Sequence, residues 1–562
     1  MSQFFHPKLV ACLKDYSVGQ FYADLSAGIT VGIVALPLAM AFGIASGVAP
    51  AAGIFTAIIA GFIISGLGGS RVQIGGPTGA FVVIIYGIIQ QYGLANLAVC
   101  TMMAGVILFL MGASKMGAII RYIPRPVTVG FTNGIAILIF TTQIKDFFGL
   151  HLDVVPADFV KKMEALGASA PSWNPVAFLV AFASAALILS WPKQLARRVP
   201  GSIIALVLAT VATAAFHLPI ETIGSRFGGI PVGLPAFYFP EISWSHIGDL
   251  IRPATTIALL AAIESLLSAV VADGMIDDRH DSNQELMAQG VANLVSPLFG
   301  GIPATGAIAR TATNIRNGGR TPVAGIIHSI TLLVIILVAA PLAKFIPLAV
   351  LSAILMVVAF NMGEWREFLL IRRLPASDVL VLLTTFTLTV VFDLTLAVEV
   401  GMVLAAMLFI RRVADMTQVT LVNEESETEG EHHSVKGKDV PQGVLVFRVF
   451  GVLMFGAADK LENLLLHQHL EPEVTILGMH KVLAMDSTAL DALERLYEKI
   501  HRRGKHLILC GPHTQPLFLM EKAGFLDQIG IANLVGDIDD ALTRARQILA
   551  ESGKETAKAK AL

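Results

Sequence analysis

The chain is 562 residues long, and 55% of its residues are hydrophobic while only 15% are charged. Soluble domains carry about a quarter of charged residues, so this composition excludes an ordinary soluble protein. The formal net charge of -2 and three cysteines without disulfide or metal-ligand spacing give no indication of a nucleic-acid partner, a disulfide scaffold or a bound metal.

Apolar segments follow one another from residue 21 to residue 413. A helix needs about 20 such residues to cross a bilayer, and several of these segments are that long. We predict fourteen membrane segments, some of them short: 24–46, 50–67, 77–91, 94–113, 126–143, 174–191, 200–216, 253–272, 284–298, 303–315, 322–344, 346–362, 377–392 and 394–410. The pattern predicts a polytopic α-helical membrane protein.

The membrane region, 21–413, divides near Pro253 and follows a short N-terminal segment, 1–20. Lysine and arginine concentrate in the loops on one side, which predicts that both termini face the cytoplasm. The two halves of the region are about 21–220 and 253–413.

The character of the chain changes after Arg412. Residues 414–442 are rich in glutamate and predict a polar linker. From 443 to 550, β-branched runs alternate with helical patterns, which predicts a small α/β domain, and 551–562 form a tail. The predicted strands are 444–449, 474–479 and 506–510, and the predicted helices are 457–468, 490–502 and 515–523.

Two glycine- and proline-broken segments occupy matching places in the two halves, GGPTGAF at 75–81 and GGIPATGA at 300–307. A membrane helix that stops at mid-depth must line a polar cavity, because lipid cannot satisfy the freed backbone groups. Paired breaks are typical of the central site of a carrier built from inverted repeats. The alternative is that both are loop–helix junctions at the membrane surface.

The breaks favour an anion as the ligand. We expect Pro77 and Pro303 in the first turns of two helices, where the missing N–H of proline costs nothing. Two facing helix N-termini, each with roughly half a positive charge, would bind an anion through backbone amides. Arg310 either adds a full charge there or binds a backbone carbonyl or snorkels to the surface.

Glu264 lies in an otherwise apolar segment, 257–268. A carboxylate at this depth is costly, so it should face the bundle interior. Because burial favours the protonated form, Glu264 suits a proton-coupling group. A structural hydrogen bond to a broken helix is the alternative, and the two roles are compatible.

These motifs resemble the SulP anion transporters. The run DLSAGITVGIVALPLAMAF at 24–42 is similar to their first span, and GGPT at 75–78 and GGIPATGAIART at 300–311 are similar to their two breaks. The stretch around MDSTAL at 485–490 resembles the STAS domain that ends these proteins. The likeness covers nearly the whole chain.

The resemblance implies fourteen membrane segments in a seven-plus-seven inverted repeat, with a core domain, a gate domain and a small cytoplasmic α/β STAS domain. It implies elevator-type transport, a homodimer, contact with membrane lipid and location in a bacterial inner membrane. The anion-binding residues it implies are Phe42, Gly76, Pro77, Thr78, Thr305, Gly306, Ala307, Ala309 and Arg310.

Glu264 and Ser268 match the family's coupling positions. Ile308 stands where sodium-coupled members have a threonine, which favours protons over sodium. We expect no cofactor, no metal and no enzyme activity. The expected substrate is a C4-dicarboxylate, bicarbonate or sulfate; a sodium-coupled bicarbonate symporter, an anion exchanger, a nucleobase symporter and a transport-inactive sensor are the alternatives.

Asp486, Ser487 and Thr488 form a strand-to-helix turn in the predicted STAS domain. In soluble relatives of this domain, a kinase phosphorylates the hydroxyl residue at the end of such a turn, so Ser487 and Thr488 are candidate regulatory sites. A plain helix cap is the favoured interpretation, because Asp or Ser before an apolar helical run caps a helix.

Overall fold

The computed structural model describes residues 5–118, 123–152, 155–192, 195, 199–233, 235–240, 247–392, 394–422, 435–454 and 472–559. The chain divides into two compact units, Met1–Ala405 and Ala406–Leu562.

The first unit is helical, and each of the fourteen predicted segments overlaps one of its helices. In chain order the helices are α1 (Lys8–Leu13), α2 (Val18–Ala45), α3 (Pro50–Leu67), α4 (Gly79–Tyr92), α5 (Leu94–Ala113), α6 (Arg125–Phe148), α7 (Phe159–Ser169), α8 (Pro175–Ser190), α9 (Gly201–Phe216), α10 (Ile223–Phe227), α11 (Ile247–Ile276), α12 (Ser282–Val295), α13 (Ile308–Arg316), α14 (Val323–Ala343), α15 (Leu348–Met362), α16 (Trp365–Leu369), α17 (Ala376–Val391) and α18 (Leu394–Met416).

Length and composition together identify the strongest membrane-spanning candidates. Among the described residues, six helices are long and apolar enough to cross a bilayer, namely α2, α3, α5, α6, α11 and α14. A seventh span results if Phe159–Ser172 and Pro175–Ser190 count as one. The chain bends by 115° between them. Four further apolar helices, α4, α9, α15 and α17, are shorter. The count of fourteen spans stays a prediction.

Glycines allow several helices of this unit to approach closely. A Cβ on Gly105 of α5 would lie 2.7 Å from the Gly290 carbonyl oxygen of α12, and a Cβ on Gly290 would lie 2.7 Å from the Gly105 carbonyl oxygen. A Cβ on Gly28 of α2 would lie 2.5 Å from the Ala324 carbonyl oxygen of α14. Small residues at such crossings are how helices pack in lipid, where no hydrophobic force drives them together.

The helices form two groups. In one group, α2 packs against α3 and α14, and α5 packs against α11 and α12. In the other, α6 packs against α15 and α17, and α8 packs against α9 and α15. The division agrees with the core and gate that the family resemblance implies, and both broken segments belong to the first group.

The first unit contains two short strands, β1 (Gly75–Gly76) and β2 (Thr305–Gly306). The second unit contains a five-stranded sheet whose order follows the chain: β3 (Gln418–Leu421), β4 (Val444–Leu453), β5 (Val474–Met485), β6 (His506–Cys510) and β7 (Leu534–Val535). Strand β3 pairs antiparallel with β4, and the other neighbours pair parallel. The predicted strands and two of the predicted helices are present, and the helix predicted at 457–468 lies outside the described residues. The helix bounds are α19 (Ser487–His501), α20 (Thr514–Lys522), α21 (Phe525–Ile529) and α22 (Ile538–Ala559).

Strand β3 lies inside the segment 414–442 that the sequence predicted to be a polar linker. The prediction is therefore wrong for 418–421. Val419 and Leu421 pack against the apolar core of the second unit, and this alternation of inward and outward residues stabilises the strand.

Candidate functional site

The two broken segments meet in the first unit. The extended pairs β1 (Gly75–Gly76) and β2 (Thr305–Gly306) bond as an antiparallel ladder, with Gly75 opposite Gly306 and Gly76 opposite Thr305. Helix α4 follows β1 after the N-cap Thr78, and α13 follows β2 after the N-cap Ala307. Because the strands run in opposite directions, the two helices leave the ladder in opposite directions with their N-termini flanking it.

The prediction that Pro77 and Pro303 occupy the first turns of these helices is wrong. Pro77 precedes the N-cap Thr78, and Pro303 precedes β2, well before α13 begins. The backbone N–H and C=O groups of the two segments pair with each other as short strands. If the helices began at the prolines, these groups would need other partners.

The N-terminus of α4 offers hydrogen-bond donors. The side chains of the N-cap residues Thr78 and Ala307 form no capping hydrogen bond, and the first-turn N–H groups of a helix have no acceptor within it. The Thr78 hydroxyl is buried and has no partner among the described residues. The Phe42 ring lies against this turn, because a Cβ on Gly79 would be 3.3 Å from its Cε1 atom. This arrangement suits a small anion.

Arg310 connects the two breaks. It is 3% exposed, and its guanidinium donates to the Pro77 carbonyl oxygen and, at 3.5 Å, to that of Gly75. A Cβ on Gly76 would lie 2.4 Å from Arg310 Nη1, so a glycine is required there. Of the three roles that the sequence leaves open for Arg310, the structure shows carbonyl binding. The charge stays beside the ladder.

Thr305 contacts helix α11, and Gly306 contacts Gln73. The Thr305 hydroxyl donates to the Ala261 carbonyl oxygen at 2.8 Å. Gly306 faces Gln73, since a Cβ on Gly306 would lie 1.6 Å from Gln73 Nε2. Both predicted residues are fully buried, whereas Ala309 of α13 is exposed and Ala307 is 8% exposed.

Glu264 lies on the face of α11 that touches the ladder. Residues three and four apart on a helix share a face, and Ala261, Ser265 and Ser268 on this face contact Thr305, Gln73 and Thr311 respectively. The Ser268 hydroxyl is 3.4 Å from that of Thr311. Glu264 itself is half-buried, and its carboxylate has no hydrogen-bond or ion-pair partner in the part of the chain that is described.

Several buried polar residues that the sequence interpretation did not include hold the breaks in place. Asn293 exchanges two 2.8 Å hydrogen bonds with the backbone of Ala304, and Thr56 accepts from the Ile302 N–H at 2.7 Å. Thr311 accepts from the Ile74 N–H at 3.0 Å, and Asn314 donates to the Val72 carbonyl oxygen at 2.9 Å. A polar residue among apolar neighbours, the signal that singled out Glu264, also marks Asn293, whereas Asn314 lies in a polar helix and carries no such signal.

A cavity of about 560 Å³ separates α4 and α11 from α6 and α17. Its polar lining residues include Gln91, Arg252, Thr256 and Thr389. It lies between the two helix groups.

The Asp486 turn of the second unit is a helix cap. Asp486 is the N-cap of α19 and accepts from the Ala489 N–H at 2.9 Å. Ser487 and Thr488 are exposed in the first turn, so their phosphorylation stays a prediction.

The chain matches known families along most of its length. The sulfate permease family profile matches residues 21–385, and the STAS domain profile matches residues 437–541. YvdB of Bacillus subtilis, described as a putative sulfate transporter, is 46% identical over 92% of this chain and 96% of its own.

Two further proteins extend the comparison. The bicarbonate transporter BicA of Picosynechococcus is 31% identical over 93% of this chain and 94% of its own. The solved structure of SLC26A9 is 18% identical with a TM-score of 0.83, covers 98% of this chain and 93% of its own, and shows the same fold. These relatives are transporters and not enzymes. The chain belongs to the sulfate permease family, SulP, as a bacterial member that carries a C-terminal STAS domain.

Proposed function

We propose that this protein is a secondary active transporter of a small inorganic anion. The observation that carries the proposal is the ladder between Gly75–Gly76 and Thr305–Gly306, which brings two uncapped helix N-termini and the Arg310 guanidinium to one place. Backbone amides and a nearby fixed charge bind an anion without a covalent or metal ligand.

Sulfate and bicarbonate are the proposed substrates. The names of the relatives support them, since YvdB is described as a putative sulfate transporter and BicA as a bicarbonate transporter. A C4-dicarboxylate has no such support and ranks third. The proposed site residues are the anion-binding residues that the family resemblance implies. Among them, Thr78 supplies a hydroxyl without a partner among the described residues. Thr305 acts through its backbone, because its hydroxyl donates to the Ala261 carbonyl oxygen.

Protons are the proposed coupling ion, with Glu264 as the group that takes them up. Glu264 lies beside the ladder with no ion-pair partner among the described residues, so it can bind a proton without first breaking an ion pair with any of them. Sodium would need several oxygen ligands, and Ile308 supplies none. The second candidate, a sodium-coupled bicarbonate symporter, gains support from the likeness to BicA and from the Ser268 hydroxyl of α11 and the Thr311 hydroxyl of α13, which lie 3.4 Å apart.

The proposed movement is an elevator-type displacement of one helix group against the other. The two packing groups and the cavity between them support it. The proposed setting is the inner membrane of a bacterium, with both termini in the cytoplasm and two copies forming a homodimer.

Uptake by purified protein in proteoliposomes tests the function. Labelled sulfate, bicarbonate and fumarate are supplied with an inward proton gradient and then with a sodium gradient. Proton-driven uptake of sulfate or bicarbonate is the expected result. Sodium-driven bicarbonate uptake would favour the second candidate, and no uptake of any of the three anions would refute the proposal.

Glu264→Gln separates coupling from binding. Glutamine keeps the size of the side chain but cannot release a proton, so we expect gradient-driven accumulation to be lost while exchange of labelled anion against internal anion continues. Glu264→Asp is the matched control and should retain part of the accumulation. Accumulation at the wild-type level in Glu264→Gln would exclude Glu264 as the coupling group.

A further inference from the structure

A second carboxylate, Glu285, is completely buried near the site. It lies in the first turn of α12, where a negative charge is favoured by the helix dipole. Its Oε2 accepts from the N–H groups of Gly69 at 2.9 Å and Ser70 at 3.2 Å. Its Oε1 accepts from Gln289 Nε2 at 2.9 Å and from the Ser265 hydroxyl at 3.4 Å. Glu285 therefore joins α12, α11 and the turn that leads to β1.

The contacts of Glu285 continue to the ladder through two side chains. The Ser265 hydroxyl accepts from Gln73 Nε2 at 2.9 Å, and the Ser265 carbonyl oxygen accepts from the same nitrogen at 3.2 Å. Gln73 in turn packs against Gly306, with no room for a Cβ between them. The chain of contacts runs from Glu285 through Ser265 and Gln73 to the strand that precedes α13.

The turn at 68–70 is shaped to meet this carboxylate. A Cβ on Gly68 would lie 2.9 Å from Glu285 Oε2, and a Cβ on Gly69 would lie 2.1 Å from the Asp281 carbonyl oxygen. Gln284, the neighbour of Glu285, donates to the Leu67 carbonyl oxygen at 2.6 Å. Two glycines thus allow the backbone to reach the first turn of α12.

All four groups around Glu285 donate hydrogen bonds, and an ionised carboxylate is the side chain that accepts from all of them. A glutamine in its place would turn its NH₂ group either towards the Gly69 and Ser70 N–H groups or towards Gln289. The first orientation sets donor against donor in a buried place, which costs more than losing the hydrogen bond alone. The second requires the Gln289 amide to turn its oxygen towards residue 285, and it leaves the Ser265 hydroxyl without its acceptor.

We propose that Glu285 is a positioning residue of the anion site, which acts through Ser265 and Gln73 to hold β2 and the N-terminus of α13 in place. Glu285 does not touch the anion. Glu285 fixes the backbone whose amides bind the anion. Its loss therefore weakens anion binding and loosens residues 302–311. The effect on binding rests on the proposed transport function, whereas the effect on the backbone does not.

The test compares Glu285→Gln with Asp24→Asn as a matched control. Asp24 is an equally buried carboxylate that accepts from the Arg320 N–H at 2.9 Å and the Thr321 N–H at 3.3 Å, and it has no contact with the ladder. Hydrogen exchange of each full-length variant is followed by mass spectrometry, and the KM for labelled sulfate and bicarbonate uptake is measured in proteoliposomes.

We expect Glu285→Gln to speed exchange in residues 302–311 and to raise KM by about tenfold, with maximal uptake per inserted protein nearly unchanged. Asp24→Asn should speed exchange near 320–327 instead and leave KM alone. Unchanged exchange in 302–311, or an equal change in both variants, would overturn the inference whether or not the wild type transports.

Two further results complete the test. Should Glu285→Gln not insert into the membrane, Ser265→Ala removes only the hydroxyl between Glu285 and Gln73, and unchanged exchange in that variant would overturn the inference as well. Wild-type protein that moves neither anion would refute the proposed function, while the exchange data still decide the positioning role.

Discussion

The two breaks look alike in sequence, but the structure stabilises them differently. The second break is held mainly from its own half, where Asn293 binds Ala304 and the Thr305 hydroxyl binds Ala261, and the first half adds Thr56 and Gln73. The first break is held mainly by the second half, through Arg310 and Thr311. The second half therefore forms a platform that supplies most of the side chains that hold the two breaks.

The difference also shows in the helices that follow. Helix α4 has 14 residues and is largely apolar before Gln90 and Gln91 at its C-terminal end, whereas α13 has nine residues and carries Arg310, Thr311 and Asn314 towards the interior. Because these three side chains serve the first break, α13 carries most of the polar contacts between the breaks. Of the two threonines Thr78 and Thr305, only Thr78 in the first break has a hydroxyl without a partner among the described residues.

Arg310→Met should have the largest effect. It removes the donor to the Gly75 and Pro77 carbonyl oxygens, so we expect uptake to fall by more than about tenfold, because buried carbonyl groups lose a charged partner. Arg316→Met is the matched control, since Arg316 lies on the same helix but is exposed. Equal uptake by the two variants would show that the first break does not depend on Arg310.

Gly306→Ala comes next and tests the platform itself. The new Cβ would overlap Gln73 Nε2, so we expect the KM for uptake to rise by about tenfold or less as the side chain shifts. Adding Gln73→Ser should restore part of the loss, because it clears the space. A double-mutant cycle measures this. If the effects of the two single changes on KM simply add in the double variant, the contact between Gly306 and Gln73 is contradicted.

Thr78→Val should have the smallest effect and sharpens the difference between the two threonines. Losing a free hydroxyl should raise the KM by a fewfold, about the worth of one neutral hydrogen bond, and leave the melting temperature unchanged. Thr305→Val should instead lower the melting temperature, because its hydroxyl serves Ala261. Matching changes in the two variants, in uptake assays and thermal melts, would contradict this distinction.

Local sequence patterns were enough to predict the apolar helices, the two breaks and the α/β domain. Long apolar runs, paired glycine–proline interruptions and alternating β-branched and helical patterns are local signals, and local signals fix local structure. The sequence also singled out Glu264 and Arg310, because a charge in an apolar segment is visible without a fold.

Only the tertiary structure decided how these parts meet. The ladder between Gly75–Gly76 and Thr305–Gly306 joins residues more than two hundred positions apart, and no periodicity predicts such a pairing. It moved Pro77 and Pro303 out of the first helical turns and gave Arg310 a carbonyl-binding role. Contacts between distant segments depend on packing and on which buried polar groups find partners, and neither is encoded in a local pattern.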